Sequence, residues 1–415
     1  MRYWLLVVCV GLGLRAESRS LYVKSGSKFP TVHSALLAAR DGDTVRIARG
    51  IYRENNLLIS KRLVLLGEQG AILDGQGKYE ILTVTKVRAV IRSLTFRRSG
   101  RSNMDDYAGI KVHDAHGVQI IGNIFEDTFF GIHISNTDSA IIRNNRLKAT
   151  AAKEYELGNG IHLWKCKQAQ ITDNHITGHR DGIYFEFVTN TLIARNESHL
   201  NKRYGLHFMF SDNNEYRKNT FRNNGAGVAV MYTAGIRMLE NTFEENWGSA
   251  SYGLLLKDIR DSEVRGNRFI NNTSGIYMEG TSRTVFRENE FKGNGWAIQL
   301  QASCDANTFS SNNFMSNTFD MATNGHLVLN DINGNYWDKY EGYDLNKDGV
   351  GDIPYYPVSL FASLSERVPA AMLLWRSFLV FMLERAEKVM PAIIPVDLKD
   401  HKPSLKPNDL YSRAR

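Results

Sequence analysis

Apolar and polar residues alternate in short bursts over most of the chain, and from residue 109 onward nearly every burst opens on a glycine. Gly205 to Asn224 (GLHFMFSDNNEYRKNTFRNN) shows the unit most clearly: a Gly-led strand, a turn, a second strand, then Asn-x-Phe-x-x-Asn. Units open at Gly109, Gly131, Gly160, Gly182, Gly205, Gly227, Gly253, Gly275 and, with the glycine replaced, Ala297, in steps of 22, 29, 22, 23, 22, 26, 22 and 22 residues. An asparagine follows each of the eight glycines by 14 residues: Asn123, Asn145, Asn174, Asn196, Asn219, Asn241, Asn267 and Asn289.

A fixed period of this size marks stacked supersecondary units. The first and third residues after each glycine are mostly apolar (Ile132 and Ile134, Ile161 and Leu163, Leu206 and Phe208, Ile276 and Met278), which is the alternation of a strand with one buried face. The period is too short for two helices and carries no helical spacing. It fits a coil of short strands and tight turns, so the expected fold is all-β, a right-handed parallel β-helix. The asparagine column is expected to stack inside a turn, hydrogen-bonding from coil to coil and tolerating a left-handed backbone. Ala149 to Asn159 and Gly248 to Ser251 are insertions in one and the same turn, so they should rise on one edge, where binding surfaces often form.

The ends read differently. Phe29 to Asp43 places Val32, Ala35, Leu36 and Ala39 on one helical face, as an N-terminal cap would need. Ser363 to Met390 is a helix-like run rich in Leu374, Trp375, Phe378, Phe381 and Met382, interrupted by Arg376 and too short to cross a bilayer. It is either a C-terminal cap or a helix that docks on a membrane partner. The divisions are then a signal peptide over 1–16, a cap with irregular coils over 17–107 and regular repeats over 108–332. A distinct stretch over 333–362, an apolar docking helix over 363–395 and a charged tail without a pattern over 396–415 complete the chain.

Charge excludes little except nucleic acid. There are 51 basic and 44 acidic residues, net +7, with the basic ones scattered through the coils. Met1 to Ala16 has a positive start and an apolar centre, the form of an export signal. Cys166 and Cys304 lie six coils apart. At roughly 4.8 Å per strand layer they are far beyond disulfide reach, so free thiols are expected.

Strand alternation throws the second and fourth residues of each unit outward on one sheet. His207, Met209 and Met231 then fall in adjacent coils on one face, with Tyr184 and Glu186 one coil away, and His133 and His162 form a second pair. Thioether and imidazole together suit Cu(I); the same columns would equally serve as a protein-docking face. Asp344, Asn346, Asp348 and Asp352 alternate like a calcium loop, although Tyr355 stands where its Glu would be; the other reading is an Asx-rich turn. A polysaccharide-modifying enzyme would need converging acid, base and cation. Asp181 and Asp258 read as isolated, so no catalytic residues are assigned and the chain is read as a non-enzyme, with a carbohydrate-binding or polysaccharide-modifying β-helix as the alternative.

Gly334-Asn335-Tyr336-Trp337, then Gly342-Tyr343-Asp344, Asp348-Gly349, Gly351-Asp352 and Pro354-Tyr355, resemble the NosD family. Gly42-Asp43, Gly50-Ile51-Tyr52, Leu66-Gly67-Glu68 and Leu73-Asp74-Gly75 resemble that family's opening. The resemblance implies a periplasmic component of an ABC-type assembly that supports copper delivery to nitrous oxide reductase. Its implied partners are an ATPase, a membrane permease that ties it to the inner membrane, a copper chaperone and the reductase.

Overall fold

The computed structural model describes residues 18–102, 104–151, 153–325, 329–390 and 398–410. The leader read over 1–16 lies outside the described residues. The rest is a parallel β-helix: three parallel sheets of 14, 13 and 12 strands, here sheets A, B and C, in which each strand pairs with its counterpart one coil away. The glycine-led strands form sheet C, as in the pairing of Leu206 with Val228 and of Phe208 with Val230.

The first and third residues after the glycines are fully buried, as the alternation requires. Rings stack through the bore beside them: Phe243 on Phe269 at 4.7 Å, Phe269 on Phe291 and Phe291 on Phe314 at 4.8 Å, and Phe314 on Trp337 at 4.1 Å. The opening glycines exist for space and not for backbone freedom. A Cβ on Gly205 would lie 2.8 Å from both Asn224 Nδ2 and the Gly227 carbonyl oxygen, distances real Cβ atoms do not tolerate.

The asparagine column is an unbroken amide ladder. Asn196 donates Nδ2 to Asn219 Oδ1 at 3.0 Å and to the Ile171 carbonyl at 2.8 Å, while its backbone N–H reaches the same Oδ1 at 2.9 Å. The pattern runs from Asn123 to Asn335, so buried turn amides are satisfied at every layer. One detail of the expectation is corrected: the left-handed residue is the one before each asparagine (Asn144, Asp173, Arg195, Lys218, Glu240), not the asparagine itself.

At the N-terminal end, α1 (Val32–Ala38) starts on Thr31, whose side chain accepts from the Ser34 N–H, and buries Val32, Ala35 and Leu36 in the common core. At the other end the apolar run is not one helix. It breaks into α2 (Leu360–Arg367), a 3-10 turn over Pro369–Leu374 and α3 (Phe378–Val389), because Pro369 and the left-handed Arg376 interrupt it. Phe361 of α2 and Trp375 pack on Phe319 of the last coil. Residues 398–410 are not a loose tail: Asp400 is buried and Ser404 bridges to Tyr336 and Val350. Cys166 and Cys304 are free and buried, and burial pushes both thiols up to about 11.

Candidate functional site

The two insertions rise from the same corner, before the strands Ile161–Trp164 and Tyr252–Arg260, and frame the coils between them. The outer face of sheet C in and beside that frame carries four rings in a row. His133 lies 4.7 Å from His162, His162 4.8 Å from Tyr184, and Tyr184 5.1 Å from His207. In-register parallel pairing places them so: His133 pairs with His162, His162 with Tyr184 and Tyr184 with His207.

This face is not the open surface that alternation alone implies, because the residue before each glycine also points outward. Phe130 lies 5.4 Å from the His133 ring, and Tyr204 lies 4.9 Å from His207. His133 and His207 are consequently buried. Burial pushes His133 down to about 4, against the pull of Asp106, and pushes His162 down to about 3, with His133 adding to the effect. Both rings are therefore neutral at ordinary pH.

Asp181, which the sequence left isolated, is the buried anchor of this face. Arg203 grips it through two bonds, Nε to Oδ1 at 3.0 Å and Nη2 to Oδ2 at 2.7 Å, and also donates to His207 Nδ1 at 3.1 Å. Burial works to raise the Asp181 carboxyl, yet the Arg203 guanidinium beside it holds it below its ordinary range. Asp258 does sit apart, on an exposed corner.

Met209 and Met231 are register partners on adjacent strands, half-buried, two residues along from His207 and Ala229. The structure thus brings the five copper candidates of the sequence, His133, His162, His207, Met209 and Met231, onto the outer face of sheet C. The fit to a soft metal ion differs among them. His133 has Nδ1 enclosed with no hydrogen-bond partner, so no protein group competes for it, while its Nε2 lies 3.6 Å from Asp106 Oδ2. His162 Nδ1 meets Asn159 Nδ2 at 3.2 Å. His207 fits less well: a guanidinium only donates, so Arg203 makes Nδ1 an acceptor and leaves the proton on Nε2. Among the described residues, no three His, Cys, Asp or Glu side chains converge as a metal set.

The acidic loop spends its oxygens on its own backbone. Asp344 accepts from Asp348 N and Gly349 N, Asn346 from Asp348 N, Asp348 from Val350 N and Asp352 from Leu345 N, which is the Asx-turn reading. Nothing in it supports calcium.

The docking candidates divide. Phe378, Phe381, Met382 and Leu374 are exposed, whereas Trp375 turns inward between Phe319 and Phe361. Leu373, at 89% exposure, is a stronger member of the patch than Trp375. No helix among the described residues is long and apolar enough to cross a membrane.

Comparison with known proteins agrees with the residue-level resemblance. Residues 148–342 match the family model described as "Periplasmic copper-binding protein (NosD)". A protein of Pseudomonas aeruginosa named "Probable ABC transporter binding protein NosD" is 30% identical over 386 residues, covering 88% of this chain and 89% of its own length. One of the same name from Stutzerimonas stutzeri is 27% identical over 378 residues, 87% and 86% of the two chains. Among solved structures, the pneumococcal surface adhesin PfbA superposes with a TM-score of 0.58 at 13% identity, over 73% of this chain and 91% of its own. A GH87 alpha-1,3-glucanase catalytic domain gives 0.53 at 12% identity, over 77% and 69%. These two likenesses show the fold alone.

Proposed function

Because the chain belongs to the NosD family, we propose that it is a periplasmic binding component of an ABC-transporter assembly whose cargo is copper, and that the outer face of sheet C handles that cargo. The observation that carries this reading is the in-register pair Met209 and Met231 beside a row of imidazoles. Thioethers are soft donors without a proton to lose, and neutral imidazole completes a Cu(I)-compatible set. Met209 and Met231 would hold the ion, with His133 and His162 as a second point of contact. His207 would join only after Arg203 releases Nδ1.

Under this reading the chain is not itself an enzyme; the relatives are named as binding proteins. Its finer role is support of copper-site maturation in nitrous oxide reductase, with a copper chaperone as donor. The exposed patch of Leu373, Leu374, Phe378, Phe381 and Met382 seats on the permease that, with its ATPase, holds the chain at the inner membrane.

The test is an anaerobic Cu(I) titration of the mature chain against a Met209→Leu, Met231→Leu double variant. Leucine keeps the volume and removes the sulfur. Loss of one bound Cu(I) with an unchanged circular dichroism spectrum is expected. Equal binding by both proteins would remove the methionines from the reading.

A further inference from the structure

A second amide ladder runs five residues after the first, through Asn201, Asn224, Asn246, Asn272, Asn294 and Asn317. One coil before Asn201 the same position holds His179, whose backbone N–H still donates to Asn201 Oδ1 at 3.1 Å. The side chain does not continue the pattern. His179 is 0% exposed, and both ring nitrogens are enclosed without a well-formed hydrogen bond, although the Gly158 carbonyl faces the ring. An Asn here would match the following coils and bond as they do, so the imidazole costs stability where the local pattern offers a cheaper residue.

The ring lies beneath the larger insertion. A Cβ on Gly160 would fall 3.3 Å from His179 Cδ2, so the glycine's backbone packs on the ring. The end of the insertion closes over it through Arg180 N to the Gly158 carbonyl at 3.0 Å and Gly160 N to the Asp181 carbonyl at 2.9 Å. The same segment covers the ring row: Gly158 N bonds the Phe129 carbonyl at 3.1 Å, and Asn159 meets His162.

We infer that His179 is an acid-sensitive latch, whose protonation loosens the 157–160 end of the insertion and uncovers the His133–His162 end of the ring row. The charged groups around it are few. Asp127, in the turn two coils back, favours a charged ring, Arg180 next in the chain faces Glu154 at 3.9 Å, and Asp181 of the same turn is neutralised by Arg203 at 2.7 Å. Burial outweighs the Gly158 carbonyl and Asp127 and holds the closed ring down at about 4, against 6.5 for a solvated imidazole. The sign follows from linkage: the open form binds the proton more tightly, so acid favours opening. Between pH 7.5 and pH 5 opening becomes about 30-fold easier. The latch stands on its own geometry and does not need copper.

The test is amide hydrogen exchange of the intact chain, without metal, at pH 7.5 and pH 5, with intrinsic rates divided out. Amides of 157–160 are expected to lose about 30-fold protection at pH 5 in the wild type and to keep it in His179→Asn, the residue the next coils use. Proton NMR of the 11 histidines gives a second readout, in which the His179 ring should stay neutral well below pH 6.5. The same acid sensitivity in His179→Asn, or a His179 ring titrating near 6.5 in the folded chain, would overturn the latch.

Discussion

Arg203 donates Nη2 to His207 Nδ1 at 3.1 Å while the same guanidinium holds the buried carboxylate of Asp181. One arginine thus neutralises an enclosed charge and sets the tautomer of the neighbouring imidazole. Removing it has two separable effects. Arg203→Ala is expected to destabilise the chain by about 3–5 kcal/mol, because Asp181 stays buried without its partner. Adding Asp181→Asn should recover much of that loss and leave His207 Nδ1 free. Urea unfolding of the two variants measures this; equal midpoints would show that Asp181 is not the source of the cost.

Acid should weaken the fold through the ring row. His133 and His162 are held at about 4 and about 3, below the 6.5 of an unfolded imidazole. Groups depressed in this way stabilise fully above pH 6.5, and the contribution drains away as pH falls through the interval down to about 3. A His133→Phe, His162→Phe chain keeps the ring contacts and loses the titration. Its urea midpoint should fall less steeply below pH 6.5 than that of the wild type, and parallel slopes would contradict the assignment.

The far end of the stack depends on one carboxylate. Asp400 Oδ2 receives Asn335 N at 2.9 Å, Asn335 Nδ2 at 3.0 Å and Trp337 Nε1 at 3.0 Å, and Oδ1 receives Gly334 N at 3.1 Å. Asp400→Ala strands these buried donors and should cost about 3 kcal/mol or more. Loss of protection should begin at the amides of 331–337 before it reaches the middle coils, which hydrogen exchange resolves coil by coil.

The apolar patch can be charged at little cost to the fold. Leu373 and Phe378 are 89% and 77% exposed, so Leu373→Glu with Phe378→Glu should shift stability by no more than about 0.5 kcal/mol. If the patch seats on a membrane partner, the variant should be recovered in the soluble fraction where the wild type co-purifies with membranes. Undiminished membrane recovery would assign the patch another role.

Much of this architecture is legible before any coordinates, because parallel in-register stacking repeats each local choice at a fixed interval. Gly205 and Asn219 announce their columns by recurrence, and the Met209–Met231 pairing follows from counting. What is not legible comes from contacts outside the repeat. Asp400 reaches Asn335 from 65 residues away, and no periodicity marks it. Asp181 reads as solitary because it stands just before Gly182, in a column that strict alternation points into the bore, and because its partner Arg203 lies a coil later. The apolar run after Ser363 has composition without shape: Arg376 marks an interruption in it, but neither the helix break there nor the inward turn of Trp375 carries a sequence signal.

Each asparagine in the main ladder takes a bond from one neighbour and gives one to the next, so the pattern alone has no reason to stop. Asp400 accepts and has nothing to give. With an amide in that place the outermost layer would offer a fresh donor to any strand able to stack there, including one from another molecule; with a carboxylate the signal ends. The same residue that satisfies the last coil thereby ends the ladder, and an ended ladder is one of the ways a stackable edge is kept from pairing with another molecule.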